Sequence, residues 1–221
     1  MHTYKIISIL NREYLNLAEE FNFDTNQYPL KIIDWIDYIN FLYNTSYIED
    51  ESIETAKELI DEINSDSITY KHSTMHCKYI LIDNKIKHFI IVPIESIHKI
   101  LAETTATDSE IEEYFRICLR HEVGHILSQI EMMNEYKDAK KAIKAFNYSS
   151  RRAEEAYITY MDVLTEKFEN DESMSEYDYY NTLISKYYSY KPEFLANAFA
   201  KVNTKQLIKL EPVIQYGFRE R

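Results

Sequence analysis

Glycine is nearly missing from this sequence, with two residues in 221, and proline is scarce, with four. Turns that need positive backbone dihedrals must therefore be few, and the composition calls for a helix-dominated fold. Cysteine is equally rare. Cys77 and Cys118 are too few for a disulfide framework, and Cys118 falls in a helical pattern where buried thiols are common, so both are expected to be reduced. No run of eighteen apolar residues occurs, and Lys5, Asn11, Arg12 and Glu13 interrupt the apolar positions near the start. Neither a signal h-region nor a membrane span fits that pattern, and a cytoplasmic protein is expected. Positive charge is outnumbered, giving a formal net charge of -12. A general binder of nucleic acid or of an acidic membrane needs clustered Lys and Arg, so no nucleic-acid and no membrane partner is expected.

What is present is a chain 45 % apolar and 28 % charged, ordinary for a folded globular protein. We expect a single domain over 1–221, with an N-terminal helical portion over 1–70 and a core over 71–221. Dense apolar positions from Pro29 to Tyr43 predict a largely buried helix, and a second helix is expected from Glu51 to Ile63. The runs Tyr79-Ile80-Leu81-Ile82 and Phe89-Ile90-Ile91-Val92, separated by Asp83-Asn84-Lys85, predict an antiparallel hairpin ending near Pro93. Ser109 and Glu112 have the spacing of a capping box, and Ile111, Phe115, Cys118 and Leu119 continue at helical spacing. Helix is also expected from Tyr136 to Phe168 and, after a charged break over Glu169 to Ser175, to the end. The tyrosine-rich tract from Tyr177 to Tyr190 reads as a partly buried helix face.

The segment Leu119-Arg120-His121-Glu122-Val123-Gly124-His125 carries HExxH inside one of these helices. A spacing of four puts His121 and His125 on one face, a turn apart, where both imidazoles can reach one Zn²⁺ at about 2.0–2.1 Å. Glu122 is angularly offset from them, which suits a general base acting on a water rather than a metal ligand. Gly124, one of the two glycines, sits mid-helix at a cost of about 1 kcal/mol against alanine, which suggests a close approach of backbone, substrate or site wall.

A catalytic zinc needs a third protein ligand and an open fourth position. Ser128 and Glu131 stand where the metzincin pattern requires Gly and His. Glu193 opens the apolar helical string Glu193-Phe194-Leu195-Ala196-Asn197-Ala198-Phe199-Ala200, where a lone carboxylate needs a partner, and zinc would be one. Asn197 shares its face and could hydrogen-bond the distal nitrogen of a ligating His. Pro192 suits the first helical turn. Glu154 and Glu155, nearer to His125 in the chain, are rivals for the third ligand, although Arg151 and Arg152 beside them favour a solvated, salt-bridged face. His72, His76 and Cys77 offer a second, less complete set of metal-ligating side chains.

HExxH followed by a second helix with Glu193, Ala196 and Asn197 in an ExxAN pattern resembles the gluzincin-type zinc metallopeptidases. The string from Pro192 to Ala200 also looks like the ligand helix of the ImmA/IrrE group and of lethal-factor-like proteases. The resemblance covers two short motifs within roughly Tyr79 to Ala200, and a longer gap between them than is usual, which a helical insertion would fill. It implies a mostly helical α+β, zincin-like fold with a small antiparallel sheet beside the HExxH helix, and a metallopeptidase core over 71–221. It also implies Zn²⁺ on His121, His125 and Glu193, Glu122 as catalytic base, and a protein or peptide substrate paired along the hairpin edge. In the lethal-factor-like group a tyrosine shortly before the ligand Glu stabilises the tetrahedral intermediate, a role for which Tyr187, Tyr188 and Tyr190 are the candidates. The competing reading is a catalytically idle scaffold of this fold that serves as a structural or regulatory binding protein, for example of a phage or mobile element.

Overall fold

Helices dominate the described residues, whose three strands lie in the first half of the chain. The computed structural model describes residues 2–45, 75–82, 85–170 and 173–219. The helix expected from Glu51 to Ile63 and the candidate His72 lie outside the described residues. The chain divides into two compact units, Met1–Ala102 and Glu103–Arg221.

In the first unit, helix α1 (Thr3–Phe21) buries Ile6, Ile9, Leu10, Tyr14, Leu17 and Ala18, the three- and four-residue spacing of one helical face. Full burial of Ile6, Leu10 and Leu17 stabilises the unit by roughly 1.5–3 kcal/mol per side chain. Asn22 ends the helix in the left-handed region, with φ 53. Strand β1 (Leu30–Ile33) and helix α2 (Trp35–Thr45) follow, then β2 (His76–Ile82), β3 (Lys85–Pro93) and helix α3 (Ile94–Glu103).

The hairpin is present: β2 and β3 pair antiparallel from His76 with Ile91 to Ile82 with Lys85. The sheet, however, is mixed rather than antiparallel, because β1 joins the other edge of β3 in parallel, from Leu30 with Ile90 to Ile33 with Pro93. The buried helix expected from Pro29 thus begins as a strand. Leu30, Ile32 and Ile33 are satisfied by a partner sixty positions away, and only that partner decides between strand and helix for so short an apolar run. Asp34 then ends the strand and starts α2, its carboxylate accepting from the Asp37 N–H at 2.8 Å. Strand β3 lies between two neighbours, and its run Phe89-Ile90-Ile91-Val92 is buried throughout, as a central strand covered on both faces requires.

Among its described residues the second unit has only helices: α4 (Asp108–Tyr136), α5 (Ala139–Asn170), α6 (Glu176–Tyr187), α7 (Lys191–Phe199) and α8 (Thr204–Tyr216). Helix α4 starts two residues earlier than Ser109 implies. Two Ser/Thr-x-x-Glu strings overlap here, and the box that forms is Thr107 with Glu110, each side chain bonded to the other's backbone N–H. From Ile117 to Ile126 nearly every residue of α4 is buried, including His121, Glu122, Val123 and Gly124. Such burial on all sides marks the central helix of its unit, and α5, α7 and α8 pack against it. Among the described residues no helix is long and apolar enough to cross a membrane.

Candidate metal centre

The centre forms where α7 crosses α4. A Cβ on Gly124 would lie 1.9 Å from the carbonyl oxygen of Ala196, so only glycine lets the two backbones approach this closely. The close approach that a mid-helix glycine implied is thus to the backbone of α7. About one turn before Gly124 on α4, two bonds hold the crossing in register. Arg120 Nη1 donates to the Ala200 carbonyl at the end of α7 (3.2 Å), and His121 Nδ1 meets Asn197 Oδ1 (2.7 Å). Pro192 stands in the first turn of α7, where its missing N–H costs nothing.

That register brings Glu193 to the two histidines. Its Oε2 lies 2.8 Å from His121 Nε2 and 3.5 Å from His125 Nε2, and the two Nε2 atoms are 3.1 Å apart. In a tetrahedral shell with bonds of about 2.0–2.1 Å the ligand atoms are separated by about 3.3 Å, so the three spacings suit one small ion. Glu122, also buried, completes a His121, Glu122 and His125 group that could hold a metal ion, with ligand atoms within 4.8 Å of one another.

The chemistry of the donor set points the same way. With Asn197 Oδ1 accepting, a proton sits on His121 Nδ1, and Nε2 is the ring atom that faces the carboxylate. Glu193 Oε2 is buried and faces the Nε2 atoms of both rings. Lone pairs and a carboxylate oxygen crowded together in the dry interior repel unless positive charge lies between them. Burial opposes a charge on His121, yet the hydrogen bond and charge of Glu193 outweigh it and raise its pKa to about 9. Burial likewise opposes the Glu193 carboxylate, and the two imidazoles outweigh it, holding its pKa below the ordinary range. Two nitrogens and one oxygen at this spacing are a donor set that zinc accepts.

The rivals lie elsewhere. Glu154 and Glu155 are exposed on α5, and Glu155 pairs with Arg151 one turn before it at 3.2 Å, as their solvated reading expected. His76 Nε2 meets the Tyr38 hydroxyl at 2.7 Å, and Cys77 Sγ lies 4.0 Å from His88 Nδ1, both in the first unit. Neither cysteine is in a disulfide, and burial, followed by the charge of Glu211, pushes the Cys118 thiol far up.

Two of the three candidate tyrosines touch the centre, in different ways. Tyr190 donates its hydroxyl to Glu193 Oε1 at 3.1 Å. The Tyr188 ring stands edge-on to the His121 ring, centroids 5.5 Å apart, and its hydroxyl donates to Glu211 Oε2 at 2.7 Å. Tyr187 packs between Tyr188 and Tyr190. Two contacts escaped the reading of the sequence. Tyr190 and Glu193 are three apart at the start of a helix, a spacing that could have flagged them. Glu211 carries no local signal; it arrives from α8, where burial raises its carboxyl to about 7. No protein-family profile, curated protein or solved structure matches this chain.

Proposed function

We propose that the protein is a zinc-dependent peptidase of the gluzincin kind, in which His121, His125 and Glu193 hold the ion and Glu122 is the general base. The observation that carries this reading is the convergence of two imidazole nitrogens and a buried carboxylate oxygen, none more than 3.5 Å from the others. Zinc bound there supplies Lewis acidity, lowering the pKa of a water and polarising the carbonyl of a peptide bond.

The chain's own residues do the rest. Glu122, one residue along α4 from His121, takes a proton from the attacking water on its carboxylate oxygen and returns it to the leaving amine nitrogen. Asn197 holds the His121 proton on Nδ1, so that Nε2 stays available to the ion. Burial of Glu122 and Glu193 keeps bulk water from competing for these groups and strengthens each charge interaction in the site. The substrate class is a protein or peptide.

Metal analysis of the purified protein and hydrolysis of a mixed peptide pool test this directly. One zinc per chain and metal-dependent cleavage are expected. Glu122→Gln should keep the zinc and lower turnover by about 10²- to 10⁴-fold, the usual range for a lost general base. A Glu122→Gln protein that cleaves as fast as its parent removes the base assignment. Zinc with no cleavage of any peptide favours a non-catalytic binding protein on the same scaffold.

A further inference from the structure

We propose that Tyr190 is a positioning residue that fixes Glu193 as a one-oxygen donor and so tunes the centre for a small, four-coordinate cation. The proposal rests on the reading of His121, His125 and Glu193 as ligands. It starts from a division of labour within one carboxylate: Oε2 faces the two imidazoles, while Oε1 accepts the Tyr190 hydroxyl proton at 3.1 Å.

The Tyr190 ring has little freedom to release that bond. Tyr190 is the residue before α7, and its side chain makes no cap bond to the helix, which leaves the hydroxyl for Glu193. The ring lies flat against Tyr157, centroids 5.7 Å apart and planes 19° from parallel, and Tyr187 packs on it edge-first at 5.3 Å. Tyr157 and Tyr187 also meet each other, at 5.6 Å, closing a triangle of rings. Tyr157 comes from α5, part of the long stretch that separates the HExxH helix from Glu193. That stretch therefore contributes to the centre without contributing a ligand.

Larger divalent ions such as calcium take six to eight oxygens and commonly both oxygens of one carboxylate. For Glu193 to offer Oε1 as well, it would have to rotate away from the Tyr190 hydroxyl. Zinc in a tetrahedral site needs only the one oxygen already directed at the imidazoles. The hydroxyl thus stabilises the carboxylate in the orientation that four-coordination uses.

The full-length protein and its Tyr190→Phe variant, stripped of metal, can be titrated with zinc against a chromogenic chelator and with Co²⁺ while the visible spectrum is read. Phenylalanine keeps the ring triangle, and matching thermal melts of the two metal-free proteins check that it does. Zinc affinity is expected to fall by about 10- to 100-fold, the usual cost of losing a partner behind a metal ligand. The Co²⁺ bands should weaken as coordination rises above four. Unchanged affinity overturns the proposal, and so does weaker zinc binding with an unaltered Co²⁺ spectrum. An equal loss from Tyr187→Phe overturns it too, since looseness of the cluster would then set affinity. If Tyr190→Phe does not fold, Tyr157→Leu frees the ring but keeps the hydroxyl; a weakened Co²⁺ spectrum supports the proposal and an unchanged one overturns it. A parent protein that takes up no zinc refutes the ligand assignment itself, a failure visible before any variant is made.

Discussion

Helices α5 and α7 treat the same side chain in opposite ways. On α5, the Glu155 side chain is 63 % exposed and meets Arg151 one turn back. Exposed pairs of this kind contribute about 0.3–0.5 kcal/mol, because water already satisfies both charges. On α7, Glu193 is 4 % exposed, and its ion-pair partners are two imidazoles. A carboxylate taken out of water costs several kcal/mol unless a positive charge is built in beside it. Acidic residues on a helix are therefore uninformative as residues; burial beside two imidazoles is what sets Glu193 apart from a solvated face.

The comparison breaks most sharply if the two carboxylates prove interchangeable. Glu193→Ala should abolish stoichiometric zinc uptake, an affinity loss beyond the roughly 100-fold ceiling for a supporting residue, whereas Glu155→Ala should leave it intact. Its effect on stability should stay within about 0.5 kcal/mol. Metal content after dialysis at matched zinc concentration reads both. Zinc retained by Glu193→Ala and lost by Glu155→Ala would reverse the argument.

A second test moves the helix rather than the carboxylate. Gly124→Ala places a methyl group against the Ala196 carbonyl. Overpacking of this kind typically costs about 1–3 kcal/mol, against the roughly 1 kcal/mol that alanine would add to an unobstructed helix. Urea denaturation should show net destabilisation, with zinc uptake weakened as α7 is pushed outward. A variant more stable than its parent would mean that the crossing is not tight.

The smallest effect belongs to the exposed end of the comparison. Glu110 lies at the surface, and bonds from the Thr107 backbone and side chain hold its pKa below the ordinary 4.5. A carboxylate whose pKa is depressed on folding adds stability that is complete above its unfolded value and vanishes as pH falls through the folded one. Thr107→Ala should cost about 1 kcal/mol at neutral pH. The gap between variant and parent in thermal melts should narrow on acidification below pH 4.5. A gap that widens instead would place the stabilisation somewhere other than the cap.

Features set by neighbours in sequence were the legible ones. His121 and His125 share a face because a helix repeats every 3.6 residues, and the hairpin announced itself through two β-branched runs and a polar turn. The carboxylate at the head of the apolar string from Glu193 to Ala200 stood out for the reason it is buried: nothing else in that string is ionised. Features set by distant partners were not legible. Leu30–Ile33 looked helical until β3 supplied a parallel neighbour, and the mixed sheet follows from that one pairing. Of two overlapping capping boxes, the string alone could not tell which would close. Tyr157 and Glu211 reach the centre only through the packing of α5 and α8, and no spacing near HExxH hints at either.

The contact of Gly124 with the Ala196 carbonyl makes the centre a property of main chain rather than of side-chain packing. Core residues can drift to others of like volume and leave such a crossing undisturbed. The fourth letter of the histidine motif cannot drift, since any side chain there acts as a wedge that parts α4 from α7. Selection for the fold alone would then hold position 124 to glycine.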